Sequence, residues 1–368
     1  MSSAPARLLL SGYYGFGNFG DEAILRVFVD EWRRRRANDV ITVLSERPDE
    51  TRQTYGVEAL PRMAWSSVHA AVRRADVTVS GGGGLLQSAT SLRSLLYYAS
   101  IIRDAKRADR KAAIFAQGIG PLNYFGREVT KRACANVDLA CVRDEESANT
   151  LQALLPNVEV RLSADPVFLA PGEVSPAARE TLAGEGLHAG IESLVAVIVR
   201  RGAPLDQMME RLAGLVDRLS ADGAHVVFVP LQIPHDAEAA ASVIRRCKSA
   251  PVLLGGGYDL PTMTALIARC AAVVSMRLHA LIIAARLGVP FMAVQHDPKL
   301  AALIGTLNYP LPPLRRDSFV DEMTNALWSQ RDALRAHLKS RVPALQARAA
   351  LAFDWLQQLV EGAPSAER

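Results

Sequence analysis

The residues that could do chemistry fall at the ends of apolar runs. In SMRLHALIIAARLGVPFMAV, Ser275 to Val294, a buried strand runs straight into Arg277 and His279, and the segment ALIIAARLG that follows is apolar enough to be core helix. Two polar, potentially cationic side chains at the head of a buried helix, with its amide N-terminus behind them, form a site for a phosphate or carboxylate. The bland alternative for His279 is a satisfied core histidine. A second cluster lies near the start of the chain, in GYYGFGNFGDEAIL, Gly12 to Leu25. Gly15, Gly17 and Gly20 spell G-x-G-x-x-G and Glu46 lies 26 residues further on, which invites a dinucleotide reading. That reading is weak, because the fingerprint needs its first glycine in the tight turn and two tyrosines intervene here. The plainer account is a loop in which glycines and Asn18 permit close backbone approach, with Asp21 and Glu22 in the first helical turn. Asp21 then either caps the helix or acts on a substrate hydroxyl.

Further strand ends carry glycines and charges. SGGGGLLQ, Ser80 to Gln87, offers the amides of consecutive glycines, including Gly82 and Gly83, to an oxygen-rich ligand with no side chain in the way. QGIGP, Gln117 to Pro121, repeats the theme. Arg143 sits where an apolar run stops and a helix starts, so its guanidinium either points toward a ligand or pairs with a nearby carboxylate, while Asp144 reads as a helix cap. Asp165 and Asp297, each followed by proline, suit turn caps, and GGGYD, Gly255 to Asp259, resembles a phosphate cradle. No Asp-x-Asp pair, His/Cys cluster or H-E-x-x-H is present, so neither a metal nor a cofactor is implied.

The elements that must position these residues alternate. Strand candidates in the first half are Leu8 to Tyr14, Val40 to Ser45, Val77 to Gly82, Ala112 to Ile119, Leu139 to Arg143 and Val160 to Pro166. In the second half they are Leu194 to Arg200, His225 to Gln232, Pro251 to Gly256, Ala272 to Arg277 and Pro290 to Gln295. Helical patterns separate them, the signature of βα units on parallel sheets. LAPGEVSP, Leu169 to Pro176, breaks the rhythm and reads as a linker. The expectation is therefore an α/β chain with two Rossmann-like, doubly wound domains facing a cleft, GT-B-like, over residues 1–172 and 190–321, followed by C-terminal helices over 322–368 with a break at Pro343. The default active site is that cleft.

At 368 residues with 49% hydrophobic content, the chain is long enough for two cores. The opening MSSAPAR carries no apolar stretch of signal-peptide length and nothing later approaches a membrane span, so a cytosolic protein is expected. Four cysteines without CxxC spacing argue against structural zinc or a disulfide. The net charge of +4 comes from scattered arginines and one run, Arg33 to Arg36, which is either a solvated helix end or attracted to anionic lipid head groups at a membrane face. With aromatics at 6% and no stacking platform, nucleic acid is a poor partner.

Taken in order, GYYGFGNFGDEAIL, SGGGGLLQ, QGIGP, VRDEES, DPVF and SMRLHALI resemble the polysaccharide pyruvyl transferase family, most closely its CsaB type, over about Leu8 to Leu300. The resemblance implies a GT-B-like fold and transfer of the pyruvyl group of phosphoenolpyruvate onto a sugar, forming a ketal. For the CsaB type the sugar is N-acetylmannosamine of a lipid-linked secondary cell-wall polymer precursor, a modification that anchors S-layer proteins. It further implies a phosphoenolpyruvate site made of Arg277, Leu278 and His279, assisted by Arg143, with His279 also a candidate acid and Asp21 the candidate base. Gly17, Asn18, Gly82, Gly83 and Gln117 are expected near the acceptor. The rival reading is a GT-B glycosyltransferase using a nucleotide sugar, and a third is a silent binding protein of the same fold.

Overall fold

The structure is a computed structural model and describes residues 5–362 apart from 90, 189 and 296. The first four residues of MSSAPAR therefore lie outside the described residues. The chain divides into two compact units, Met1–Leu169 with Leu345–Arg368, and Ala170–Ala344. The expected linker contains the crossover between them, and the segment expected as separate C-terminal helices is shared between the units.

The first unit alternates β1 (Arg7–Tyr14), α1 (Phe19–Arg35), β2 (Val40–Ser45), α2 (Pro48–Tyr55), β3 (Glu58–Pro61), α3 (Trp65–Arg74), β4 (Val77–Ser80), α4 (Leu92–Arg107), β5 (Lys111–Gln117), α5 (Tyr124–Cys134), β6 (Leu139–Val142), α6 (Glu145–Leu154) and β7 (Val160–Leu162). Its sheet has the order β3-β2-β1-β4-β5-β6-β7 and is parallel throughout. Alternate residues of each strand feed two cores, as the period of two requires. Leu9, Leu44, Ile114 and Ala140 pack on one face. Leu8, Leu10, Val43, Val79 and Phe115 pack on the other, with Phe28 and Trp32 of α1.

The second unit contains α7 (Pro176–Gly184), β8 (Leu194–Ile198), α8 (Ala203–Asp206), α9 (Met209–Ala221), β9 (His225–Phe228), α10 (His235–Ile244), β10 (Val252–Leu253), α11 (Leu260–Ala268), β11 (Cys270–Ser275), α12 (Leu278–Arg286), β12 (Phe291–Ala293), α13 (Pro298–Leu307) and α14 (Val320–Ser329). Its sheet, β10-β9-β8-β11-β12, is again parallel. Both sheets are therefore doubly wound. Strand order reverses between β1 and β4 in the first and between β8 and β11 in the second, and such a reversal opens a crevice for ligands beyond the strand C-termini.

Two expectations need correcting. β3 has no apolar run to betray it, and it is a short edge strand that ends in Pro61, where a missing amide is tolerated. Pro343 does not break the chain into two helices, for α15 (Arg331–Glu361) runs through it. A proline inside a helix costs about 3 kcal/mol. Leu338, Val342, Leu345 and Phe353 are buried on either side of it, and each such side chain contributes roughly 1.5–3 kcal/mol, enough to hold the helix continuous.

Candidate functional site

The crevice of the second sheet is built around Arg277. Residues 275–278 leave β11 and enter α12, and the Ser275 hydroxyl turns the corner by accepting from the Arg277 amide at 2.8 Å. Arg277 is the residue before the first helical turn, and no side chain caps that turn. The guanidinium is held as a fork. Nη2 donates to both carboxylate oxygens of Asp236 at 2.7 Å, Nε donates to Oδ2 at 3.1 Å, and Nη2 reaches Gln232 Oε1 at 3.2 Å. Asp236 is buried, with 1% of its side chain exposed, while Arg277 keeps 15%. A buried carboxylate paired on one side of an arginine fixes the direction of the remaining N–H groups. Leu278 and His279 open the helix, both partly buried. Across the reversal, β8 is followed after Val199 by Arg200, Arg201 and Gly202, all exposed, and Arg201 pairs with Glu238 at 3.1 Å.

Sequence reasoning missed Asp236, Gln232 and the Arg200–Arg201 pair. Asp236 and Gln232 lie 41 and 45 residues before Arg277, on a different βα turn, and nothing local marks them. The Arg200–Arg201 pair was legible as a strand-end charge and could have been found from the reversal rule.

The crevice of the first sheet is acidic and aromatic instead. Asn18 caps α1, its Oδ1 accepting from the Gly20 amide at 3.1 Å. Asp21 is therefore not the cap. Glu22 folds back, accepting from the Gly15 amide at 2.8 Å and from the Tyr55 hydroxyl at 2.7 Å. Burial raises the Glu22 carboxyl above its ordinary value, and these two hydrogen bonds only partly offset that. Tyr13 stacks on Phe16 with centroids 4.0 Å apart, and the Arg62 guanidinium lies over Phe16 at 5.0 Å and over Tyr97 at 4.2 Å. Burial, and next the Asp21 carboxylate, push the Tyr13 phenol up.

The glycine loops do not offer an open cradle. A Cβ on Gly81 would lie 2.2 Å from the Tyr14 hydroxyl, one on Gly82 2.9 Å from Ile24, and one on Gly83 2.7 Å from Asp21 Oδ1. The glycines make room for side chains of the first βα unit, and Gly83, at φ +90°, leaves the Asp21 carboxylate the space that a Cβ would take. SGGGGLLQ and QGIGP are also zipped together, with the Gly118 amide on the Gly83 carbonyl and the Gly120 amide on the Leu86 carbonyl, both at 2.8 Å. Gln117 is fully buried and donates to the Ser80 carbonyl and hydroxyl at 2.9 and 2.7 Å. Gly17 is exposed with open space beside it, at the mouth of the loop.

Three further readings change. Arg143 is buried and paired with Asp165 at 2.8 Å, with Asp144 at 3.7 Å, so the carboxylate pairing anticipated as an alternative is the one present. Asp144 caps α6 as expected. In GGGYD, the Gly255 amide donates to Glu185 at 2.6 Å and the Gly257 amide to the Pro230 carbonyl at 3.2 Å, so two amides of the supposed phosphate cradle are already occupied. A dinucleotide at α1 fares no better, since Asp21 and Glu22 put two carboxylates where its pyrophosphate would lie. Burial pushes the thiols of Cys134, Cys141 and Cys270 up to about 12, so none of these is a thiolate nucleophile at neutral pH. Among the described residues no group of three His, Cys, Asp or Glu side chains could hold a metal, and no helix is long and apolar enough to cross a membrane.

A family model described as polysaccharide pyruvyl transferase matches residues 18–298, a span that runs from the cap of α1 through the Arg277 turn. The chain belongs to this family. No curated relative matches it. Among solved structures, the UDP-GlcNAc 2-epimerase of Neisseria meningitidis, determined with UDP-GlcNAc, is 9% identical with a TM-score of 0.65, covering 96% of this chain and 100% of that one. HepE of Anabaena in complex with UDP gives 12% identity and a TM-score of 0.64, over 96% and 98%. A UDP-glucose:anthocyanidin 3-O-glucosyltransferase in complex with UDP gives 10% and 0.61, over 99% and 100%. At these identities the likeness is one of fold, and this member of the pyruvyl transferase family has the GT-B-like pair of doubly wound domains.

Proposed function

We propose that the protein transfers the pyruvyl group of phosphoenolpyruvate to a sugar of a lipid-linked cell-wall polysaccharide precursor, in the manner of the CsaB type, with N-acetylmannosamine as acceptor. The observation that carries this is the Arg277 fork, held by buried Asp236 at the uncapped start of α12, inside the family-matched span. Phosphoenolpyruvate is a trianion near neutral pH, so its phosphate and carboxylate need such a fork and the amides of a helix N-terminus. Arg277 holds the donor, His279 contacts its phosphate, and Leu278 presents its amide.

The chemistry then proceeds by proton delivery to the C3 methylene, attack of one sugar hydroxyl on C2, loss of phosphate, and attack by a second hydroxyl on C2. One of the two hydroxyl protons is balanced by the new methyl C–H, and the other leaves on phosphate. An acid and a base are required. His279 is assigned as acid and Asp21 as base. Asp21 suits that role because Asn18 relieves it of capping and because Tyr13, Phe16 and Arg62 provide an aromatic floor nearby for a sugar ring.

The test is phosphate release from phosphoenolpyruvate in the presence of lipid-linked or aryl-linked N-acetylmannosamine disaccharide. Release that depends on acceptor supports the proposal. Turnover with a UDP-sugar and none with phosphoenolpyruvate would instead assign the glycosyltransferase chemistry suggested by the UDP-bound structures of like fold.

A further inference from the structure

The run Arg33 to Arg36, the sequence's one candidate for lipid contact, is engaged with its own unit, although Arg33 and Arg34 stay exposed. Arg33 donates to the carbonyls of Tyr55 and Gly56 at 2.9 and 2.7 Å, Arg34 pairs with Glu31, Arg35 with Asp354 and Arg36 with Asp39. A different face of the first unit has what that run lacks. A groove of about 770 Å³ lies along α4, lined by Arg93, Arg103 and Arg132 with Met63, Trp65 and Leu96, and none of its lining residues is acidic. Arg93 and Arg103 are exposed, and the Arg132–Glu128 pair at 3.6 Å is a surface contact of little strength.

The surroundings are unusually apolar. Of the 11 large apolar side chains exposed among the described residues, six are Met63, Trp65, Leu92, Leu96, Tyr124 and Phe125, on α3, α4, α5 or the turn before α3. α4 shows how this arises. Leu95, Tyr98, Ile101 and Ile102 face the core, and Leu92, Arg93, Leu96 and Arg103 form the opposite stripe, where an ordinary surface helix would mix both charge signs.

We propose that the α3–α5 face docks on an anionic lipid membrane, its arginines meeting lipid phosphates while Trp65, Leu96, Tyr124 and Phe125 enter the headgroup layer. Arginines in a groove that no acidic side chain lines, interleaved with aromatic and aliphatic side chains, complement such a surface better than they complement a protein. The inference rests on the proposed function only for the reason to dock, a lipid-linked acceptor. Arg62 borders both regions, lining the groove while its guanidinium covers Phe16 of the Asp21 cluster.

The experiment is flotation of the full chain with vesicles of phosphatidylcholine alone or mixed with phosphatidylglycerol, at low and high salt. Wild type is expected to float only with the anionic vesicles and to be released by salt. Arg93→Glu combined with Arg103→Glu should lower the bound fraction by more than about tenfold, because each basic side chain near an anionic surface contributes roughly fivefold. Leu96→Ser should lower it at unchanged charge. Both variants should keep the wild-type melting temperature and the wild-type turnover on a water-soluble aryl-linked acceptor. Flotation is read without any turnover, so failure of pyruvyl transfer and failure of docking are separate results. No flotation with anionic vesicles, equal flotation with neutral ones, or unchanged flotation of the double variant overturns the proposal. So does loss of soluble-acceptor turnover in the double variant, which would make the groove part of the acceptor site. A concentration-dependent dimer abolished by Leu96→Ser would give the face to a second copy of the chain and also overturn it.

Discussion

The two strand-order reversals share a topology and differ in charge. At the first, between β1 and β4, the helix that follows carries its own acids: Asn18 caps it, Glu22 occupies the Gly15 amide and Asp21 lies over Gly83. At the second, between β8 and β11, the acid is buried beneath an arginine, and the helix that follows has no side-chain cap. A doubly wound sheet supplies a crevice in both cases. Side chains decide what it accepts. The first is closed to an anion by its own carboxylates and suited to hydroxyl groups, while the second, with the Nε and Nη2 edge of Arg277 anchored on Asp236, leaves the Nη1 side of the guanidinium and the helix amides for an anion.

The largest effect that could break this comparison is expected from Arg277→Ala. It removes the donor's charged partner, which should weaken phosphoenolpyruvate binding by about 3 kcal/mol or more. It also leaves Asp236 buried without its cation, a loss of about 3–5 kcal/mol that should lower the melting temperature by on the order of 10 °C. Arg277→Lys should recover part of the stability and little of the binding, since an ammonium cannot reproduce the fork. Calorimetry with phosphoenolpyruvate and thermal melts read the two effects separately. Donor bound as tightly by the Ala variant would end the assignment of the anion to the second crevice.

Asp21→Asn comes next, and the expected loss of turnover is about 10² to 10⁴, the range for a general base. Because Asn18 is the cap, the substitution should leave the melting temperature and donor binding unchanged. Near wild-type turnover would leave the base unassigned and strip the first crevice of its proposed chemistry.

Gly83→Ala tests whether the glycine loop exists to admit Asp21. The added Cβ meets Asp21 Oδ1 at 2.7 Å, and φ of +90° is unfavourable for alanine. A destabilisation of about 1–3 kcal/mol is expected, together with reduced turnover and unaltered donor binding. A variant as stable and active as wild type would mean that the loop yields, and that the close approach is incidental.

How much of this was legible in the sequence follows from where the causes lie. Parallel strands buried on both faces read as continuous apolar runs, so β1, β2, β8 and β11 were visible and the two-sheet architecture with them. β3, exposed at an edge and ending in proline, was not. The arginine and histidine of the α12 turn were legible because they interrupt an apolar stretch, but their support was not, since Asp236 is brought to Arg277 only by the sheet order. Glycine runs were read as ligand cradles. Their reason is visible only in three dimensions, where Tyr14, Ile24 and Asp21 fill the space that a side chain would need. Likewise a basic run at a helix end reads as solvated, and Arg33 and Arg34 are indeed exposed in the last turn of α1, but the Tyr55 and Gly56 carbonyls that hold Arg33 come from another element and leave no local mark.

The smallest expected effect sharpens the same comparison through pH. Burial raises the Glu22 carboxyl above its ordinary value, so in a window above the unfolded value of about 4.3 the folded chain binds more protons at this site than the unfolded one. Stability should then fall as pH rises from there to the raised folded value, and stay level beyond it, with a slope of at most about 1.4 kcal/mol per pH unit. Glu22→Gln keeps an oxygen for the Gly15 amide and lets the Tyr55 hydroxyl accept instead of donate, so it retains both contacts and removes the titration. Denaturant unfolding of the two proteins at several pH values between about 4 and 8 should give a wild-type stability that declines relative to the Gln variant across that window. The proton count also says what the α1 N-terminus contains: above the window Glu22 is an anion on the Gly15 amide, and an incoming phosphate would have to displace it. A difference that stays constant with pH would show that the hydrogen bonds from Gly15 and Tyr55 offset the cost of burial in full, and Glu22 would then be an anion on the Gly15 amide from its ordinary value upward.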